Sequence, residues 1–344
     1  MVNPEQLRNI AKEILKACGE NETNALLTAD CLIKADMRGI STHGIYLLIP
    51  IFDRIKAGML DIPTKITLVK EIDAITILDG GNGLGQLAAR KAMDISIEKA
   101  KKFGIAITSV RNTNNISFLG YYTNIASEKG MIGLTTSNAA ASMAPWGTTE
   151  AFIGTNPFSV SIPAKNQKPI ILDMSSSIVA RGKIRQASRN KKTIPLGWSI
   201  DSEGNPTTDP DEALKGTLLP IAGPKGSGLA IVIDILAGLL SGSKYGPDVK
   251  TFHKLEGSTG VGVFCTAIDI RHFLDLEDFY INIDNYIQQI KSLKKVKNVT
   301  EIYLPGEIEL KQEEKASKQG IELAPFTVKK LNEIVSILGI EQKL

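Results

Sequence analysis

Ala74-Ile75-Thr76-Ile77-Leu78-Asp79-Gly80-Gly81-Asn82-Gly83-Leu84-Gly85 is the stretch that decides the fold. An apolar run ends in glycines, and a helix-patterned segment, Gln86–Phe103, follows. That order is the opening of a dinucleotide-binding βαβ unit. The details disagree. Counted from Gly81, the third glycine falls one residue early, at Gly85, and Gln stands at 86. The next strand ends Val110-Arg111-Asn112, with no acidic residue to hold a ribose. A tight turn that starts a helix is the better reading, and the chain is expected to lack a Rossmann cofactor loop.

Working outward, strands are expected at Ala74–Leu78, Ile105–Val110, Ile132–Ser137, Phe158–Ile162, Ile170–Asp173 and Val261–Ile268. Helices are expected at 4–18, 22–37, 45–57 (kinked at Pro50), 86–103, 118–129, 227–241, 278–295 and 325–338. Pro63 marks a change of texture, from helical to alternating strand and helix. The class is therefore α/β, with a helical part built from the N-terminus and the C-terminal segment. Residues 1–68, joined by about 300–344, form the helical domain, and 69–299 form the α/β domain. The loop between Ala187 and Ala222 is rich in turn residues, as in Gly204-Asn205-Pro206-Thr207-Thr208-Asp209-Pro210.

The bulk properties exclude several classes. Over 344 residues, 40 basic and 37 acidic side chains leave a net charge of +3, too balanced for a nucleic-acid or acidic-membrane surface. Cys18, Cys31 and Cys265 are few and far apart, as in a reduced, cytoplasmic protein, and the three histidines, at 43, 253 and 272, cannot build a multi-histidine metal site. The first residues read as a charged helix rather than a signal peptide. Leu229–Gly242, interrupted by Asp234, is too short to span a bilayer and reads as a buried core helix.

Four segments carry candidate chemistry. His43, in Arg38-Gly39-Ile40-Ser41-Thr42-His43-Gly44, follows a helix and sits among turn-forming residues; it is either a proton donor or acceptor near neutral pH or a structural histidine. Gly223-Pro224-Lys225-Gly226-Ser227-Gly228 precedes an apolar helix; Lys225 and the helix start suit an anion, while close packing explains the glycines equally well. Asp173 ends a buried strand, where α/β proteins bind ligands, and could equally cap the following segment. His253 and His272 read as surface residues, and no Gly-x-Ser-x-Gly elbow is present.

Taken in order, Ala35–Gly44, Ala144-Pro145-Trp146-Gly147, Gly154-Thr155-Asn156-Pro157, Leu172-Asp173-Met174, Ala180-Arg181-Gly182-Lys183, Pro206–Pro210, Gly223-Pro224-Lys225-Gly226 and Leu304-Pro305-Gly306-Glu307 resemble the malate/L-lactate/L-sulfolactate dehydrogenase family, which includes ureidoglycolate dehydrogenase and diketogulonate reductase. The resemblance implies a non-Rossmann, nicotinamide-binding mixed-sheet domain beside a helical domain, in a homodimer. It implies hydride transfer between NAD or NADP and a small 2-hydroxy/2-oxo acid. Carried over, cofactor contacts fall on Ala139, Asp173, Met174, Ser175, Lys225, Pro305, Gly306 and Glu307. The catalytic residues fall on His43, as proton donor, and Asp173, which would orient its ring. No metal, membrane or nucleic-acid partner is implied. Two positions depart from the family: Asn115 stands where many members have a histidine, and Leu47 where many have an arginine suited to a substrate carboxylate. They motivate two alternatives, a reductase of imines or other carbonyls, and a catalytically silent cofactor-binding homologue.

Overall fold

The computed structural model describes residues 1–341. Its centre is a seven-stranded mixed sheet of order β1-β2-β3-β9-β4-β5-β6, and β7 pairs with β8 in a small separate ribbon. The strands are β1 Thr67–Ile72, β2 Ile75–Asp79, β3 Ile105–Thr113, β4 Met131–Ser137, β5 Phe158–Ile162, β6 Ile170–Met174, β7 Ser199–Ile200, β8 Thr217–Leu218 and β9 Val261–Asp269. Only β2 and β3 run parallel; the other neighbours are antiparallel. The helices are α1 Pro4–Ala17, α2 Glu22–Met37, α3 Leu48–Lys56, α4 Gly85–Phe103, α5 Gly120–Ser127, α6 Arg181–Arg189, α7 Pro210–Lys215, α8 Pro224–Asp234, α9 Leu276–Ser292, α10 Glu307–Gln319 and α11 Pro325–Ile337.

Three apolar clusters hold these elements. In the first, Leu7, Ile10, Ile14, Leu32, Ile33, Leu48 and Ile51 meet Ala316, Ile321, Leu331 and Ile334, so both chain ends share one helical core. The second packs α4 and α5 on the sheet through Ala88, Ala92, Met93, Tyr122, Val263 and Cys265. The third, with Met143, Ile153, Ile184, Leu218 and Ala230, builds a lobe around the β7–β8 ribbon, against α8. Strand β9 is buried along almost its whole length, which explains its near-continuous apolar sequence.

The glycine turn is structural, as its sequence suggests. Gly80, Gly81 and Asn82 pack against the Asn112–Asn114 segment, with Asn82 N donating to Asn112 O and Asn114 Nδ2 to Gly83 O. A Cβ on Gly85 would stand 2.3 Å from Asn114 O and 2.5 Å from Asn115 O. The glycine is there for close approach of α4 to β3, and backbone fills the place a pyrophosphate would need.

Five elements differ from the sequence reading. Edge strand β1 is exposed throughout and lacks the alternation that reveals a half-buried strand. Helices α6 and α10 bury one and two residues respectively, so no apolar stripe announces them. Helix α7 sits inside the turn-rich loop, capped by Asp209. The 227–241 run is not a buried core helix: α8 passes into a π-helical turn, Ile235–Leu239, and Ile231, Val232, Ile235, Leu239 and Leu240 are exposed.

Gly85→Ala is expected to destabilise the protein by roughly 1–3 kcal/mol, because the neighbours of the new methyl are carbonyl oxygens that cannot rotate away. Urea denaturation checks this, and unchanged stability would refute the close approach.

Candidate active site

The site begins at a buried acid. Asp36 lies in the last turn of α2, and its Oδ2 accepts the N–H of Ile45 at 2.6 Å. The carboxylate fills the space beside Gly44, where a Cβ would collide with it at 2.1 Å. Residues 41–43 are thereby folded into a single 3-10 turn that presents His43. Burial pushes the Asp36 carboxyl up to about 7, and the Ile45 hydrogen bond opposes the rise.

The His43 ring is half-buried. Its Nδ1 lies 3.0 Å from Thr42 Oγ1, and Nε2 has no hydrogen-bond partner among the described residues. Burial pushes its pKa down to about 4, and His253 adds to the fall. The expectation of titration near neutrality is thus corrected: the imidazole is neutral at pH 7, an acceptor of protons rather than a standing acid.

Asn115 and Ser117 hold the turn from the other side. Asn115 Oδ1 accepts Ser117 N at 2.8 Å, and Ser117 Oγ donates to His43 O at 2.6 Å. Asn115 therefore shapes the backbone that supports His43. Leu47 is buried in the helical core, so its position faces packing rather than ligand.

Asp173 is not brought to the His43 ring by any hydrogen bond among the described residues. Its Oδ2 accepts Gly120 N at 2.7 Å, at the start of α5. It caps a helix that begins 53 residues earlier in the chain, a partner that the sequence could not indicate. Burial pushes it up to about 6 against the pull of the Gly120 and Leu119 amides.

The remaining candidates fall into two joined groups. Asn156, wholly buried, donates to Ala230 O on α8 and accepts Ala139 N at 3.0 Å, which fixes Ala139 beside that helix. Ser176 N donates to Thr155 O and Ile221 N to Ser176 O, so Ser175 lies beside the loop that opens α8. Lys225 is exposed in the first turn of α8, with no ion pair among the described residues. The N–H groups of Gly226 and Ser227 are taken by Ile221 O and Gly223 O. The anion-binding capacity of this helix start is therefore the Lys225 ammonium and its own N–H. In the second group, Ile171 N donates to Pro305 O at 2.9 Å, which bolts the Pro305–Glu307 turn to β6 just before Asp173 and Met174. Glu307 is buried, accepts Leu304 N at 3.0 Å and pairs with Lys291 at 2.5 Å, so its carboxylate secures the turn.

His253 is exposed, as its sequence reading has it, and its ring also lies beside that of Tyr46. Its ring centroid is 6.2 Å from that of Tyr46. Wholly buried Arg54 donates to Lys254 O at 2.8 Å and to Gly257 O at 2.5 Å, and so clamps the loop that carries His253. Nothing in the sequence around His253 signals this, because the clamp comes from 200 residues away. Among the described residues no group of three His, Cys, Asp or Glu side chains is arranged to hold a metal ion, and no helix is long and apolar enough to cross a membrane.

Residues 2–332 match the family model for malate/L-lactate dehydrogenase. The chain belongs to this family. It is an oxidoreductase, and its seven-stranded mixed sheet bears out the expected α/β class. Similar proteins include the malate/(S)-sulfolactate dehydrogenase of Methanothermus fervidus, 38% identical over 99% of both chains. The sulfolactate dehydrogenase structure from Methanocaldococcus jannaschii is 36% identical with a TM-score of 0.93, covering 98% of this chain and 97% of that one. The malate dehydrogenase structure from Entamoeba histolytica is 30% identical with a TM-score of 0.95, covering 100% and 99%.

The raised Asp36 pKa fixes the sign of a pH effect. Folded protein holds a proton that the unfolded chain releases between the ordinary 3.8 and about 7. The contribution of this group is full below the lower value and is lost as pH rises through the upper one. Asp36→Asn keeps the acceptor oxygen for Ile45 and cannot ionise. Its stability relative to the wild type is expected to rise from pH 4 to pH 7 by more than about 1 kcal/mol. Parallel slopes in paired urea titrations would contradict the burial of this acid.

Proposed function

We propose that this enzyme interconverts a 2-hydroxy acid and its 2-oxo acid, with NAD or NADP as hydride partner and His43 as the group that moves the proton. The reading rests on one observation above the rest: a desolvated, neutral imidazole whose Nε2 is uncommitted, on a turn locked by Asp36. The nicotinamide nucleotide supplies hydride transfer when bound. The chain supplies a cation and apolar surface suited to it. Lys225 takes the phosphates, Ala139, Met174 and Ser175 line the path, and the Pro305–Glu307 turn closes it beside Asp173. The uncommitted ammonium of Lys225 at a helix start is the local support for that assignment.

In the oxidation direction neutral His43 accepts the hydroxyl proton at Nε2, with Thr42 Oγ1 steadying Nδ1. In reduction the same nitrogen returns the proton to the oxygen. Asn115, which stands where many members of the family carry a second histidine, cannot titrate and so carries no proton. Asp173 acts through α5, whose first turn follows the Ser117 support of His43. We read residues 1–68 with 300–344 as the helical unit and 69–299 as the cofactor unit. A homodimer is supported by the apolar face that Ile231, Val232, Ile235 and Leu239 expose. A cytoplasmic setting agrees with three free cysteines.

Two variants separate the roles. Lys225→Ala is expected to raise the dissociation constant for NADH or NADPH roughly tenfold or more, since a charge-assisted hydrogen bond is worth ~1.5–3 kcal/mol. His43→Ala should leave that constant near wild type and lower oxidation of malate, lactate or sulfolactate by roughly 10²–10⁴-fold. In wild type the acid limb of kcat/KM lies well below 6.5, toward the about 4 of His43. Fluorescence titration and steady-state kinetics read both. A His43→Ala protein with wild-type turnover, or a Lys225→Ala protein with unchanged affinity for both nucleotides, removes that residue from its role.

A further inference from the structure

Helix α6 carries three arginines with different fates. Arg181 Nη2 donates to Leu214 O at 2.7 Å, and the Arg189 guanidinium lies 5.8 Å over the Phe326 ring. Arg185 is half-buried, and among the described residues it has no hydrogen bond, ion pair or aromatic partner. Removing a guanidinium from water without an anion is unfavourable, so an unpaired one inside a fold marks a place for an anion to arrive.

The surroundings say which anion. One turn before Arg185, Gly182 packs against the site: a Cβ built there would stand 3.3 Å from Thr42 Cγ2. Thr42 is the residue whose hydroxyl lies 3.0 Å from His43 Nδ1. With Arg185 one turn further along α6, the lobe packs against the His43 turn at Thr42. The Tyr46 and His253 rings, 6.2 Å apart, flank it. The electrostatic influences run in series: His253 acts on His43, and Arg185 acts on His253. Arg185 is thus close enough to His253 to act on it, on a helix that packs against Thr42. Leu47 is in the core and offers nothing to an acid there.

We propose that Arg185 is the specificity-determining residue of this enzyme, receiving a second acidic group of the substrate, carboxylate or sulfonate, on the side away from the carbon that is oxidised. The guanidinium fork makes two parallel hydrogen bonds to such a group, and an ammonium cannot copy that geometry. The preferred substrates are then 2-hydroxy acids with two acidic groups, over those with one. The assignment rests on the reading of His43 as the proton-moving residue, which fixes the end at which oxidation occurs.

The test uses the full-length protein, Arg185→Gln and Arg185→Lys. Because Arg185 has no hydrogen bond or ion pair among the described residues, both variants should keep the wild-type melting temperature. With NADH or NADPH, Arg185→Gln should lower kcat/KM for oxaloacetate and sulfopyruvate roughly 10- to 100-fold, mainly through KM, and change pyruvate less than about threefold. Arg185→Lys should fall between. Equal losses on all three acids, or no loss, overturn the assignment. A second arm measures calorimetric binding of succinate and of butyrate to the enzyme–NAD⁺ or enzyme–NADP⁺ complex. Succinate should bind more tightly, and Arg185→Gln should abolish the difference. If wild type turns over no 2-oxo acid but this difference exists and depends on Arg185, the reaction reading fails and the anion site stands. If wild type turns over these acids and Arg185→Gln leaves its selectivity intact, the anion site alone fails. Neither turnover nor selective binding overturns both.

Discussion

The hydrogen bond from Ile45 N to the buried Asp36 carboxylate is the constraint on which the site depends. An isolated buried acid is costly, and it persists where the surrounding structure fixes its geometry. Here that structure closes on itself. Asp36 sets the His43 turn; the His43 carbonyl is held by Ser117; α5 starts on Asp173. Strand β6, which ends with Asp173 and Met174, is bolted to the Pro305 turn that opens α10. Glu313 of α10 then pairs with Arg38 at 2.7 Å, two residues beyond Asp36. The circuit links the proton-handling turn to the proposed cofactor path through hydrogen bonds and one nearly buried ion pair.

Much of this architecture was legible in the sequence because burial leaves a periodic trace. The central strands and the amphipathic helices α1, α3 and α4 announced themselves by their apolar spacing, and the misplaced third glycine in Gly80–Gly85 was enough to reject a Rossmann loop. The structure gives the physical reason for those glycines, which is room for the Lys65 carbonyl at Gly81, the Thr64 side chain at Gly83 and the Asn114 and Asn115 carbonyls at Gly85. What the sequence concealed were elements without a buried face. Helix α10 is charged nearly all round, α6 buries only Ile184, and β1 is an exposed edge. The exposed apolar face of α8 misled in the opposite sense, because composition does not tell a core helix from one with an exposed apolar face.

The site was legible as a set of residue types and less so as a set of roles. His43 and Lys225 stand where their chemistry can be used, one on a locked turn and one at a helix start. Asp173 and Glu307 are spent on helix and turn ends, through partners far away in sequence. Asp36 was visible only as part of the Ala35–Gly44 segment, and nothing local shows that its carboxylate faces Ile45 rather than water. Asn115, a departure from the family, proves to be a backbone support. The loop of His253 is placed by the Arg54 clamp, and α6 by the packing of Gly182 on Thr42, neither of which leaves a short-range signal.

The most direct test of the account replaces the anchor and leaves the imidazole in place. Turnover of malate and affinity for NADH and NADPH are measured for wild type, Asp36→Ala and Asp36→Asn. The account predicts that Asp36→Ala loses turnover on the order of 10²-fold, the scale for misplacing a catalytic group by an ångström, while cofactor affinity holds and Asn restores most of the rate. Wild-type turnover in Asp36→Ala would show that His43 needs no such anchor, and would contradict the account at its centre.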